Sequence, residues 1–147
     1  MSNVMSLRGV GSRRQVAGFT LLELMITVAI VAILSTIAYA SYANQVVKSR
    51  RAAAANCLQE RAQFMERYYT TNMTYADAPD PAQCGPDIDA FYSVGFSGTP
   101  DAKTFLIQAV PQGAQDSGDA NCKTLGINAQ GARTASGTAA STPAECW

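Results

Sequence analysis

The stretch GFTLLELMITVAIVAILSTIAYASYA, residues 18–43, decides the architecture of this 147-residue chain. It contains one charged side chain, Glu23, and residues 24–43 form a run of 20 uncharged positions. As an α-helix this run is about 30 Å long, which is the thickness of the hydrocarbon core of a bilayer. The pattern therefore predicts a helix at residues 19–43 that crosses a membrane or packs among other apolar helices.

The charges are unevenly distributed along the chain, although its eleven basic and eleven acidic residues balance. Residues 1–18 contain three arginines, Arg8, Arg13 and Arg14, and no acid. Residues 19–147 therefore keep eight bases against eleven acids, a net charge of −3. That balance argues against general binding to nucleic acid or anionic lipid.

An ordinary secretory signal is the first alternative for the N-terminal residues. A basic start, an apolar run and Ala38-Tyr39-Ala40 before Ser41 fit such a signal, with cleavage before Ser41. However, the apolar run exceeds the roughly 7–15 residues of a signal. A carboxylate such as Glu23 also costs up to about 3 kcal/mol in a bilayer, which has no explanation in a segment destined for removal. We therefore expect the helix to be retained.

Residues 44–71 switch to an amphipathic helical pattern, in which apolar residues recur on one face. These residues are Val47, Ala54, Leu58, Ala62, Met65 and Tyr69. No glycine or proline interrupts residues 19–71, which predicts one helix from Phe19 to about Tyr69. The turn-forming segment Asp77–Pro86 is expected to end it.

Strand-like runs follow at residues 91–96, 104–110 and 123–128, with a weaker one near 133–135. Short links between them favour an antiparallel sheet of three or four strands. The predicted fold class is α+β: a long N-terminal helix whose apolar half protrudes and whose second half packs against the sheet.

Four cysteines, Cys57, Cys84, Cys122 and Cys146, occur without any histidine and without C-x-x-C spacing. Two structural disulfides formed in an oxidising compartment are the simplest interpretation. Of the three pairings of four cysteines, we favour Cys57–Cys84 and Cys122–Cys146, each worth about 3–4 kcal/mol in the chain-entropy model. Lack of histidine excludes a Ser/His or Cys/His hydrolase, so we expect no enzyme, metal or cofactor.

The segment Gly18-Phe19-Thr20-Leu21-Leu22-Glu23, after basic residues and before twenty uncharged ones, resembles the signature of type IV pilin precursors. The resemblance implies that a prepilin peptidase cuts after Gly18, methylates the amine of Phe19 and leaves the apolar helix in place. It also implies a role in assembly for Glu23, which becomes the fifth mature residue.

Later segments look like minor pilins of the PilE kind. They are residues 64–69 with Asn72 and Tyr75, residues 108–113, Cys122, Gly131 and the Cys146-Trp147 pair. Two positions depart from the pilin pattern, because Ala32 and Ala40 stand where the family commonly has glycine and proline. Both substitutions favour helix, by about 1 and 3 kcal/mol respectively.

The resemblance implies three parts: a leader at 1–18, a transmembrane and filament-core helix at 19–43, and a periplasmic, later extracellular, domain at 44–147. The implied function is a structural, minor subunit of a type IV pilus for assembly, twitching motility and attachment. Implied partners are other pilin subunits, the prepilin peptidase, the inner-membrane assembly machinery, and the lipid bilayer before assembly. The alternatives are a DNA-uptake receptor, a major pilin and a type II secretion pseudopilin.

Individual charged residues have competing interpretations. Glu23 pairs with the Phe19 amine of a neighbouring subunit, or is an acid tolerated near a helix N-terminus. Lys48-Ser49-Arg50-Arg51 fits a solvated helix face beside lipid headgroups better than an anion or DNA site. A DNA receptor would use scattered bases of the domain, namely Arg61, Arg67, Lys103, Lys123 and Arg133. Trp147 is expected to be packed rather than adhesive.

Overall fold

The computed structural model describes residues 18–147, so Arg8, Arg13 and Arg14 of the expected leader lie outside the described residues. Within residues 18–147 a long helix is followed by a four-stranded sheet, with short helices in the connections. The elements are α1 (Leu21–Asn72), α2 (Pro86–Asp89), β1 (Tyr92–Phe96), β2 (Leu106–Pro111), α3 (Ala114–Gly118), β3 (Leu125–Asn128), β4 (Arg133–Ala135) and a 3₁₀ helix (Pro143–Cys146). The chain divides into two compact units, with the boundary between Ala38 and Tyr39.

Local interactions determine where α1 begins and ends. At the start, Thr20 Oγ1 accepts a hydrogen bond from the Glu23 N–H at 3.2 Å, an N-cap contact in a Thr-x-x-Glu sequence. At the end, Met73 takes a left-handed conformation with φ 57°, and its N–H donates to the Tyr69 carbonyl at 2.7 Å. This left-handed residue ends the helix at Asn72. The helix thus ends three residues after the predicted Tyr69, and Met73 ends it rather than the turn-forming segment at 77–86.

The sheet has the strand order β1-β2-β3-β4, and every neighbouring pair is antiparallel. The register places Val94 opposite Ala109, Ala109 opposite Leu125, and Leu125 opposite Ala135. All four side chains are buried, so one apolar row crosses the whole sheet. The four predicted strands are confirmed, including the weak one at 133–135.

The core forms where this row meets the predicted stripe of α1. Ala54, Leu58 and Met65 are buried in the same apolar cluster as the sheet residues, and Ala62 and Tyr69 are half-buried against it. Because the stripe of the helix and the inward face of the sheet cover each other, the α+β prediction is confirmed. The helix α3 was not predicted, since its five residues follow the turn at 111–113 without any periodicity.

Two disulfides tie the connections to the core. Cys57 on α1 is bonded to Cys84 in the segment before α2, with the Cα atoms 5.8 Å apart. Cys122 is bonded to Cys146 in the 3₁₀ helix, with the Cα atoms 5.6 Å apart. Both distances lie in the range that a disulfide spans without moving the backbone. The second bond fastens the Ser/Thr-rich residues 136–147 to the sheet side of the molecule.

Candidate assembly site

The start of α1 presents the three residues that the sequence singles out: Gly18, Phe19 and Glu23. Phe19 is 83% exposed, and Gly18 and Glu23 are exposed as well. A Cβ added at Gly18 meets nothing within 4 Å. The fold described here therefore does not require glycine at this position.

Apolar side chains surround Glu23 along the first turns of α1, and they are exposed. They include Leu21, Leu22, Leu24, Met25, Ile26, Val28, Ile30, Val31, Ile33, Leu34 and Ile37. Within residues 18–147, α1 is the one helix that is long and apolar enough to cross a membrane, and its apolar stretch has no buried residues. A carboxylate in the first turn of such a helix interacts favourably with the N-terminal end of the helix dipole. A surface of this kind needs lipid or other helices to cover it.

A buried polar network joins α1 to the segment around α3. The Arg51 guanidinium donates to the Asp119 carboxylate at 2.6 Å, and the two side chains are 14% and 2% exposed. The Tyr92 hydroxyl lies 3.4 Å from the second Asp119 oxygen. Gln115, which is fully buried, donates to the Tyr92 hydroxyl at 2.9 Å and to the Val47 carbonyl at 3.1 Å. This network positions the α3 segment on the helix.

The prediction that Lys48-Ser49-Arg50-Arg51 is solvated was wrong for its two arginines, whereas its place beside lipid headgroups stays a prediction. Arg51 forms the buried pair, and the Arg50 guanidinium carbon lies 3.5 Å from the centroid of the Phe91 ring. Lys48 is exposed. The apolar stripe of α1 has no member between Val47 and Ala54. Arg51 lies four residues after Val47, on the same helix face, so the spacing alone indicated that its side chain is buried. No sequence signal identified Tyr92, Gln115 or Asp119 as its partners.

Three of the five bases considered for DNA binding contact other groups of the domain. Arg61 donates to the Gln83 carbonyl at 3.1 Å, and Lys123 is paired with Asp116 at 2.8 Å. Arg133 lies over the Trp147 ring, 5.2 Å from its centroid, while the indole N–H donates to the Thr134 carbonyl at 3.2 Å. The remaining two, Arg67 and Lys103, are exposed. The Trp147 side chain is half-buried and held in place by these contacts, in agreement with the packed interpretation.

Tyr92 makes the stability of the domain pH-dependent in the alkaline range. Burial of its phenol raises the pKa to about 12, because the anion is disfavoured away from water. Its pKa in an unfolded chain is about 10. The stabilising contribution is therefore complete below pH 10 and is lost as the pH rises from about 10 towards about 12.

We expect Tyr92→Phe to flatten the fall in unfolding midpoint between pH 10 and 11.5, measured by denaturant titration. Tyr42→Phe, which removes an exposed phenol, is the control. An equally steep fall in Tyr92→Phe and in the parent chain would contradict the assignment.

Comparisons with known proteins place this geometry in a family. The protein-family model described as "Type IV minor pilin ComP, DNA uptake sequence receptor" matches residues 40–126. The model described as "Prokaryotic N-terminal methylation motif" matches residues 13–39. The chain therefore belongs to the ComP family of type IV minor pilins. It is a subunit of a type IV pilus, and the fold and family are structural rather than enzymatic.

Solved structures agree with this assignment. A type IV pilin from Shewanella oneidensis is 30% identical, with a TM-score of 0.51, and the match covers 69% of this chain and 97% of that one. The non-core minor pilin PilV of Neisseria meningitidis has the same fold, with 24% identity, a TM-score of 0.52, and coverage of 64% of this chain and 90% of that one. A search of curated proteins gave no significant match.

Proposed function

We propose that the chain is cut between Gly18 and Phe19, N-methylated on Phe19, and then assembled into the pilus through its apolar helix. Two observations support this. The N-terminal methylation motif matches across the predicted cleavage site. Glycine at position 18 has no steric cause within the described fold, and recognition by the peptidase is our explanation for it.

The main observation in support of the assembly mechanism is the single carboxylate in the exposed apolar part of α1. Residues 24–43 contain no other charge, and Glu23 lies in the first turn. Cleavage before Phe19 would create a positive amine close to this carboxylate in sequence. In a filament, the amine of an incoming subunit pairs with Glu23 of its neighbour, which sets the register while the apolar helices pack. A buried charge is tolerated when it is paired in this way.

Before assembly the subunit is anchored in the membrane by residues 19–43. We place this anchor in the inner membrane, with residues 44–147 in the periplasm, because two disulfides belong to an oxidising compartment. Its partners are other pilin subunits, the prepilin peptidase and the assembly machinery of that membrane. The role is structural, without catalysis, and it supports twitching motility and attachment. Deletion of the gene is expected to reduce the number of surface pili and twitching together.

A second candidate, DNA reception, comes from the words "DNA uptake sequence receptor" in the family description. The charges of this chain favour it less. The segment at 73–91, between α1 and β1, contains four aspartates and no base. They are Asp77, Asp80, Asp87 and Asp89. Three of the five candidate bases already contact a carboxylate, a carbonyl or an aromatic ring.

A gel shift separates the two candidates. We expect the purified chain to retard duplex DNA only weakly at physiological salt, without preference for sequence, because phosphate binding needs several clustered bases. Arg67→Gln and Lys103→Gln remove two exposed candidate bases and test any residual binding. Tight, salt-sensitive retardation of one sequence, together with a deletion strain that keeps its pili and loses transformation alone, would establish the receptor instead.

A further inference from the structure

A slot of about 430 Å³ lies beside the helix residues that follow the apolar segment. One wall is a face of α1 that carries Tyr39, Tyr42, Val46 and Arg50, which are spaced 3, 4 and 4 residues apart. The opposite wall is formed by Ala114 and Gly118 of α3. The lining is mainly apolar, and small residues on the α3 side leave the space open.

Arg50 supplies the only charge in the lining of this slot. Its guanidinium rests on the Phe91 ring, and no carboxylate of residues 18–147 forms an ion pair with it. This differs from the neighbouring Arg51, whose charge is neutralised by Asp119. A guanidinium held by an aromatic ring on its face keeps N–H groups at its edge for an anion. The slot therefore complements a ligand with an apolar body and a negative group.

The two tyrosines indicate where such a ligand comes from. Tyr39 and Tyr42 are 76% and 70% exposed at the end of the 20-residue uncharged run. Tyrosines in this position mark the level of the lipid headgroups, where basic residues are attracted to anionic lipids. The net charge of −3 on residues 19–147 opposes general adsorption to such a surface, so attraction depends on local bases such as Arg50.

We propose that the slot binds the headgroup of one anionic phospholipid while the subunit resides in the membrane. Arg50 contacts the phosphate, and Tyr39 and Tyr42 pack beside the glycerol and the first carbons of the chains. The inference rests on the proposed membrane anchor. It adds a specific lipid contact that subunits must release when they enter the filament.

Native mass spectrometry of the full chain tests this, after purification in detergent with equal amounts of phosphatidylglycerol and phosphatidylethanolamine. We expect one phosphatidylglycerol to be retained preferentially. Arg50→Gln should reduce that preference about five-fold, the factor that one base near an anionic surface supplies. Arg50→Lys should restore it. Tyr42→Ala, on an exposed side chain, should weaken retention of both lipids without affecting the fold.

Arg67→Gln is the matched control, because Arg67 is an exposed base on the same helix outside the slot. Equal retention of the two lipids, or the same preference in Arg50→Gln and Arg67→Gln, would overturn the proposal. Detection of a dimer of the chain without bound lipid would also overturn the proposal. Pilus counts in strains carrying the same variants test the proposed function separately. A normal number of pili together with no lipid preference would contradict the lipid site and leave the proposed function standing.

Discussion

Glu23→Ala is expected to remove the subunit from sheared filaments while its folded domain stays intact. The substitution leaves the Phe19 amine of the neighbouring subunit without a partner in an apolar surrounding, which costs about 3–5 kcal/mol. A cost of this size corresponds to more than a hundred-fold loss of incorporation at equilibrium. The domain should be unaffected, since its apolar cluster consists of residues from Ala54 onward. Immunoblots of sheared filaments against membrane fractions measure the ratio.

Glu60→Ala is the control, because Glu60 is an exposed carboxylate on the same helix. Glu23→Gln keeps the shape and removes the charge, and it should behave like Glu23→Ala. If Glu23 acts only through the dipole of its own helix, the contribution is about 0.3–1 kcal/mol. Incorporation would then fall less than about six-fold, and the pairing mechanism would be wrong.

Arg51→Met is expected to destabilise the domain by about 3–5 kcal/mol, because it leaves a buried carboxylate without its counter-ion. Asp119 is 2% exposed on its side chain, and the Tyr92 hydroxyl at 3.4 Å is a poor substitute for a guanidinium at 2.6 Å. Methionine retains most of the apolar volume of the arginine stem, so the lost charge dominates the effect. Denaturant unfolding of the chain in detergent gives the free energy.

Two further variants separate the charge from the packing. Arg67→Met removes an exposed base from the same helix and should change stability by less than about 0.5 kcal/mol. Arg51→Met combined with Asp119→Leu replaces the pair by apolar side chains and should recover most of the loss. A double variant as unstable as Arg51→Met alone would mean that the loss does not come from the unpaired Asp119 carboxylate.

The helix and strands were predictable because their patterns are local. The spacing of Leu58 and Met65 specifies one face of a helix, and the alternation at Val94 or Ile107 specifies one face of a sheet. The residue that ends α1 could not be predicted, because Met73 carries no signal for the left-handed conformation that glycine usually supplies. Position along a stripe predicts that a side chain faces inward, but not which later segment covers it.

That limit explains the error at Arg50 and Arg51. Their partners, Phe91 and Asp119, are 41 and 68 residues away in the sequence, and the short helix that brings Asp119 to α1 has no periodicity of its own. Close approach there depends on Gly118, where an added Cβ would lie 3.0 Å from a Val47 methyl. The assembly residues, in contrast, were predicted from a contiguous motif, since a peptidase would recognise neighbouring residues and not a tertiary contact.

The most direct test of the account is the N-terminal peptide of the subunit recovered from sheared filaments, identified by mass spectrometry. We expect it to begin at Phe19 and to carry a methyl group on its amine. We also expect replacement of Gly18 by a bulky residue to leave uncut chain in the membrane. A peptide that begins at Ser41 would show that the apolar helix is discarded as a secretory signal, and it would contradict the proposed assembly through Glu23.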